Sequence, residues 1–585
     1  EGGTAAGDDA LGKGPTPLAD DGGADAAMDA AGDLAPRPLP VASPASRLLV
    51  PGPAALVGAG PDSCTNAPGA AGDRWCAFTR PASALGFNEL WVLDATATLG
   101  GAAFACDGSD ARCLRLSTAL FEDTTVGFAR TGFSGDTLVY AETTEGGTSS
   151  GFVGAFLAWR PGWAAGRAIS SQTGVACVGH ATSDAALCFD SSLGDGTTTP
   201  LTVDLHAGRL SSASGPPLPR VDTLLLAAPS DAVGATPRFQ YGFSPDGAYV
   251  AWSTRPVSAP DGEETLSLRK LEDGAPSVVV AGDVSQWAIS PDGRAWAWLA
   301  GYNYDVAGAP SGVLRAAQFP GGAGATTLAP DVGQFAFAPA GGLWLRSGVR
   351  AQTGSLLWMP DLTAPAGATA VDTDVLAVLD ESADGATFLY AKSFATLSPA
   401  TTTAPGTTAP FDVVDLHAAT AGGAPCALAE TPSALGAALL PPGRQAVWSR
   451  FDPATGAEQG VATMLSSCTS TPFANGLRKM TVAGDLGLVY LDDADPAADE
   501  ATLRYDPFMY GALQPAGTPI QTRAASVYAA LAPALPAVVY TVATGTAADG
   551  LYVARLAPPA TVDQGDASAD GEAGSSADAD AEAAP

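Results

Sequence analysis

The segment Phe243-Ser244-Pro245-Asp246-Gly247, running directly into Ala248-Tyr249-Val250-Ala251-Trp252, decides how the rest of the chain is read. Proline presets φ for a turn, an aspartate side chain bonds nearby backbone, and glycine supplies the positive φ that completes a tight turn. Beyond the turn, the bulky side chains of Val250 and Trp252 stand two residues apart. That is the period of a strand with one buried face. The segment therefore reads as strand, turn, strand.

Working outward, the pattern recurs. Ile289-Ser290-Pro291-Asp292-Gly293 leads into Arg294-Ala295-Trp296-Ala297-Trp298, and worn copies stand at Phe337-Ala338-Pro339-Ala340-Gly341 and Glu381-Ser382-Ala383-Asp384-Gly385. With Pro245 as reference, equivalent points fall near residues 71, 135, 183, 245, 291, 339, 383, 441, 483 and 533. Later copies keep only the alternation, as in Leu488/Tyr490 and Val538/Tyr540. Leu90-Trp91-Val92-Leu93-Asp94, Leu266-Ser267-Leu268-Arg269-Lys270 and Leu551-Tyr552-Val553-Ala554-Arg555 read as third strands after their hairpins. Thr202-Val203-Asp204-Leu205-His206 and Asp412-Val413-Val414-Asp415-Leu416-His417 read the same way. An outer strand such as Ser277-Val278-Val279-Val280 then precedes the next hairpin. Four strands in roughly 40–50 residues is the sequence signature of a propeller blade.

These repeats resemble the WD-like, TolB-type β-propeller repeats, whose hallmark is Ser-Pro-Asp-Gly followed by an alternating strand that ends in an aromatic residue. The resemblance covers residues 47–560. It implies an all-β propeller, expected here as one large ring of eight to ten four-stranded blades, with two smaller tandem propellers as the alternative. The Thr/Pro/Ala stretch at 396–410 is the one candidate linker, and it reads as a loop within a blade. The resemblance implies a fold and is nearly silent on function, because this fold hosts many activities. The same repeats precede peptidase domains in the prolyl oligopeptidase family, but here they run to the end of the chain.

Composition agrees. Among 585 residues, 69 Gly and 47 Pro stand against 15% charged residues, which favours short elements joined by turns over long helices. The net charge is −33; residues 1–46 contribute −6 and residues 562–585 contribute −7, leaving −20 between them. A surface of that sign repels phosphates, so nucleic acid and anionic membrane surfaces are excluded as partners. Residues 1–46 and 561–585 are rich in Ala, Gly and Asp and are expected to be a disordered acidic spacer and a disordered acidic tail. No stretch has the roughly 20 apolar residues of a membrane span. The sequence begins at Glu1 and reads as a mature form, with the first segment suited to holding the body away from an N-terminal anchor. Four lysines against 24 arginines suggest a GC-rich bacterial source.

Eight cysteines fall in pairs. Cys64 and Cys76, and Cys177 and Cys188, flank hairpin turns symmetrically; Cys106 and Cys113 bracket Asp107-Gly108-Ser109-Asp110. Residues so placed meet across strands, as a disulfide requires. Cys426 and Cys468 each lie fifteen residues before a reference point, on the expected outer strands of adjacent blades, and complete the set if those strands approach closely enough. Disulfides point to an extracytoplasmic compartment: periplasm, cell surface or secreted.

Candidates for chemistry are few. Gly147-Thr148-Ser149-Ser150-Gly151 formally matches a hydrolase nucleophile elbow but lacks the strand before it and the helix after it. His180 sits beside a turn, and His206 and His417 occupy equivalent places in two copies of Val-Asp-Leu-His-Ala, so repetition accounts for both. The acidic loop at 492–500 has oxygen ligands enough for calcium but not their ordered spacing, so no cofactor is expected. Ser382-Ala383-Asp384-Gly385 is one residue short of a sialidase-type Asp box and reads as a worn turn. Trp252, Trp296, Trp298, Trp344 and Trp448 follow the strand period and are expected to pack between blades rather than stack on sugars. The function expected is a non-enzymatic scaffold that binds a protein partner through loops at one face or at the channel mouth. The alternative is an envelope enzyme or carbohydrate binder that uses the channel.

One more expectation concerns closure. The last unit has a hairpin near Pro533 and a third strand near Leu551 but no outer strand of its own, whereas Leu48-Leu49-Val50 and Ala54-Ala55-Leu56-Val57 are unused. Residues within 48–57 are expected to supply that strand and so remove an exposed sheet edge.

Overall fold

The computed structural model describes residues 46–556 apart from connecting stretches, of which the longest are 121–130, 144–153, 228–239 and 398–410. The expected tail and residues 1–45 of the expected spacer lie outside the described residues, while Ser46, placed in the spacer by the sequence, opens a strand.

The strands are antiparallel throughout and pair in sequence order. Unit 4 shows the plan. Its strands Gln240–Phe243, Tyr249–Thr254, Thr265–Lys270 and Val278–Gly282 lie side by side in that order, and the hairpin at Pro245 joins the first two with Phe243 opposite Val250. The units at 174–227, 377–429 and 437–475 repeat it. Two larger sheets each hold two such units. In one, the strand Thr326–Phe337 serves as the outer strand of one unit and the first strand of the next. In the other, two units touch through Leu120 and Glu142. The unit beginning at Lys479 adds a small hairpin, Ala512–Leu513, to the plan. Grouped in this way, the described strands make ten successive units, and every third and outer strand expected from the sequence takes its place. Of the candidate linker at 396–410, residues 398–410 lie outside the described residues, between the second and third strands of unit 7.

The last unit is completed from the other end of the chain. Ser46–Pro51 pairs antiparallel with Gly550–Arg555, with Leu48 opposite Tyr552 and Val50 opposite Leu551. The expectation needs one correction: Ala55 and Leu56 pair with Thr79 and Phe78 of the first unit, not with the last. The kink at Gly52, with φ +85°, lets the chain leave one sheet and enter the next within four residues. A second departure is the helix Ala95–Leu99 between the third and fourth strands of unit 1. Arg47 donates to the carbonyl of Thr98 and Arg555 to that of Leu99, so the two paired strands of the last unit both hold the helix C-terminus, where cations are favoured.

The core is distributed. Each hydrophobic cluster is built from two neighbouring units; Trp252 packs with Leu187 and Leu205 of the preceding unit, and Tyr490 with Phe473 and Leu440. One cluster joins Leu49, Val539 and Leu551 of the last unit to Phe78 and Leu93 of the first. Packing thus runs from unit to unit and returns to its start, which is propeller architecture. All five tryptophans expected between blades are buried there. Burying one large apolar side chain is worth about 1.5–3 kcal/mol before the entropy of ordering it.

Candidate binding face

The turn that decides the fold also builds the most regular polar feature of the molecule. In unit 4, Ser244 Oγ donates to Asp246 Oδ1 (2.5 Å), and Asp246 Oδ1 also accepts from Ala248 N (2.9 Å). Tyr249 N donates to Ser244 Oγ (3.0 Å), and Gly247 N to Ser244 O (2.8 Å). Unit 5 repeats all four bonds through Ser290, Asp292, Arg294 N, Ala295 N and Gly293 N. Unit 7 does so through Ser382, Asp384, Ala386 N, Thr387 N and Gly385 N, although alanine has replaced its proline. Ser382-Ala383-Asp384-Gly385 is therefore one more turn of the repeat.

Adjacent turns touch. A Cβ on Gly247 would lie 2.0 Å from Ser183 Oγ in the turn before it, and one on Gly385 would lie 2.7 Å from Ala338 Cβ. His180 stitches two turns together. Its Nδ1 accepts from Thr182 N (3.1 Å) and Ser183 N (2.9 Å), which leaves the proton on Nε2 to be donated to Ser244 O at 3.0 Å. Burial lowers its pKa, against an opposing pull from the Ser244 bond, so the ring is held neutral.

The result is a rim of turns with an aspartate at the same place in units 4, 5 and 7 (Asp246, Asp292 and Asp384), while Asp184 and Asp136 stand at other positions in the turns of units 3 and 2. The serine hydroxyl bond is the largest influence on Asp246, Asp292 and Asp384 and lowers each pKa. At Asp184 burial pushes upward, but bonds from Ser211 and Arg209 win. These four carboxylates therefore stay charged well into acid. The rim is a set of fixed negative charges on rigid turns.

The other candidates disperse. His206 and His417 both lie on third strands, four residues before the N–H that closes each strand onto its turn (Leu210 to Asp184 O, Ala421 to Ala386 O), with His206 opposite Cys188 and His417 opposite Tyr390. They are equivalent, as the shared pentapeptide predicts: Cys188 and Tyr390 each stand three residues past the residue that closes the turn, Ala185 and Thr387. His206 Nδ1 bonds Leu218 O (2.5 Å), whereas His417 Nε2 bonds Asp415 (2.8 Å) and its ring stacks on Tyr390. Gly147-Thr148-Ser149-Ser150-Gly151 and residues 496–499 lie outside the described residues. Asp492 is turned inward, 3.0 Å from Arg504, and is not presented to a loop cation. Among the described residues no group of three or more His, Cys, Asp or Glu gathers as a metal cage, and no helix is long and apolar enough to cross a membrane.

Four disulfides are present: Cys64–Cys76, Cys106–Cys113, Cys177–Cys188 and Cys426–Cys468, with Cα separations of 4.0, 5.2, 4.1 and 5.6 Å. Cys426 opens the outer strand of unit 7, but Cys468 occupies the turn before the outer strand of unit 8 rather than the strand itself, because its left-handed φ of +51° belongs to a turn. Sequence reasoning missed two repeated features. Asp283, Asp331 and Asp374 take positive φ just before the buried Val284, Val332 and Val375, where the chain crosses between units; the recurring Asp-Val pair was their signal. Gln240 donates to Trp287 O (2.6 Å) and accepts from Trp287 N (3.0 Å), joining the first strands of two units. Gln240, Gln286 and Gln334 all stand five residues before their turn prolines.

No protein-family model matches the chain, and no curated protein matches it by sequence. Among solved structures, a eukaryotic initiation factor is similar at 11% identity and a TM-score of 0.41, with 77% of this chain and 95% of that one covered. The β-propeller domain of the Trilobed protease from Pyrococcus furiosus is similar at 10% identity and a TM-score of 0.27, covering 57% and 91%. TolB from Acinetobacter baumannii is similar at 13% identity and a TM-score of 0.24, covering 58% and 81%. Likeness at these identities concerns the fold alone.

Proposed function

We propose that this chain is a single ten-bladed ring in an extracytoplasmic compartment, acting as a non-enzymatic scaffold that docks a protein partner on its turn rim. The observation that carries the reading is the repeated aspartate of the Ser-x-Asp-Gly turns, bonded alike in units 4, 5 and 7. Rigid like charges suit a partner that presents Lys or Arg in an extended segment, since complementary charge steers encounter and fixes register. The disulfides and the acidic surface support the compartment.

The test changes charge alone. Asn at 246, 292 and 384 keeps an oxygen for the same turn bonds. The triple variant Asp246→Asn/Asp292→Asn/Asp384→Asn should bind a fluorescent Lys/Arg-rich peptide about tenfold more weakly, with a shallower salt dependence, at unchanged stability. Equal affinity and equal salt slope in both proteins would remove the rim as the docking surface.

A further inference from the structure

Three of the four disulfides close short loops inside one unit, between cysteines 7, 11 and 12 residues apart. Cys426–Cys468 spans 42 residues and joins the outer strand of unit 7 to a turn of unit 8. Its surroundings differ too. Both members of Cys64–Cys76 and Cys177–Cys188 are buried, whereas Cys468 is exposed and its partner Cys426 is buried. Apart from the disulfide, the turn that carries Cys468 is closed by the strand pair Met464–Thr469 and tied by Leu465 N to Arg444 O (3.0 Å), Ser467 N to Met464 O (3.4 Å) and Thr469 Oγ1 to Ser467 O (3.4 Å). Met464, Ser467 and Thr469 in and beside that turn form one wall of a cavity of about 340 Å³, and Leu513 of unit 9 forms another. Leu513 is held there by its N–H to Gln445 Oε1 (2.8 Å).

We propose that Cys426–Cys468 is a redox latch, a thiol-reducible bond between two neighbouring units whose opening frees the turn at 464–469 and, with it, one wall of the cavity between units 8 and 9. Disulfide exchange needs an incoming thiolate to reach a sulfur in line with the S–S bond, and access decides which bridge reacts. Here the reachable sulfur is that of Cys468. A thiolate from a dithiol reductant, either a small dithiol or a dithiol protein, bonds Cys468 Sγ and expels Cys426 as thiolate. The reductant's second thiol then attacks its own sulfur in the mixed disulfide and releases Cys468. The reductant leaves as a disulfide, and two electrons and two protons pass to Cys426 and Cys468. Cys106–Cys113, with Cys106 partly exposed, closes a loop inside unit 1, so its opening uncouples no units.

The test uses the full chain, titrated with dithiothreitol under native conditions, alkylated, and mapped by peptide mass. Cys426 and Cys468 should become alkylated at a reductant concentration about tenfold below that needed for Cys64–Cys76 and Cys177–Cys188. At that concentration amide exchange should accelerate at 464–475 and not at 174–193. The double variant Cys426→Ser/Cys468→Ser should show the fast exchange without reductant and no further change with it. The latch is overturned if Cys426 and Cys468 alkylate before any reductant is added, if the buried bridges open at the same concentration, or if exchange at 464–475 ignores reduction. The titration of the unmodified chain decides the matter even if the double variant fails to fold.

Discussion

His180 Nε2 donates to the main-chain oxygen of Ser244 across 3.0 Å, so a side chain of unit 3 is bonded into the turn of unit 4. Its Nδ1 is occupied by two main-chain N–H groups, so the ring cannot gain a proton without losing them. Arg209 and Arg160 add to the lowering of its pKa from 6.5, while Asp246 opposes it. A depressed histidine pKa means that the unfolded chain takes the proton first. Stability should therefore be level above pH 6.5 and fall as the pH drops below it, before the carboxylates titrate. Thermal melts from pH 8 to pH 5 should show this slope in the natural chain and a flatter one in His180→Gln, which should itself cost about 1–3 kcal/mol at pH 8.

Two turn glycines separate backbone strain from packing. Gly247 and Gly293 have nearly the same φ, +62° and +68°. A Cβ on Gly247 meets Ser183 Oγ at 2.0 Å, whereas one on Gly293 meets nothing nearer than Pro245 Cδ at 3.8 Å. Gly293→Ala should cost about 1 kcal/mol, the price of the left-handed conformation. Gly247→Ala should cost distinctly more, and Ser183→Gly in the same chain should recover part of the difference. Chemical denaturation of the three variants checks this, and equal losses at both glycines would contradict it.

Truncation tests the closing strand. Leu49 and Val50 are almost wholly buried against the last unit, and Arg47 braces the helix of the first. Removing residues 1–44 should leave the melting temperature nearly unchanged. Removing residues 1–53 should lower it by many degrees and promote association, because the third strand of the last unit becomes an open edge. Light scattering and calorimetry on the two truncations provide the comparison.

The buried pair Arg504 and Asp492, 3% and 1% exposed at their side chains, makes the opposite point about charge. Arg504→Met removes the cation and leaves a carboxylate in the unit 8–unit 9 interface. Such a change typically costs about 3–5 kcal/mol, and Arg504→Met/Asp492→Leu should be far less damaging than the single variant. Urea unfolding of both checks the expectation.

Much of this protein was written locally. Pro245, Asp246 and Gly247 specify a turn with their own side chains and φ angles, and Val250/Trp252 specify a strand by period. A repeat of such units has to be stacked to cover its apolar faces, so a propeller followed from ten short readings, each needing no distant partner. Even Asp384, after the loss of the neighbouring proline, keeps every bond of the turn, because those bonds come from Ser382, Asp384 and main chain.

What the tertiary structure decided is everything that depends on which unit a residue faces. Leu48 and Leu56 look alike in sequence, yet Leu48 closes the last sheet and Leu56 opens the first, since that choice rests on partners some 500 and 22 residues away. His206 and His417 share a pentapeptide and a register, yet one ring bonds Leu218 O and the other Asp415, because the chain packed beside each strand differs. The tight approach of Gly247 to Ser183 and the reach of Cys426 to Cys468 are distances between units, and local propensity carries no information about them. Turns and strands are short-range physics; the rim and the latch exist only once neighbouring units are packed.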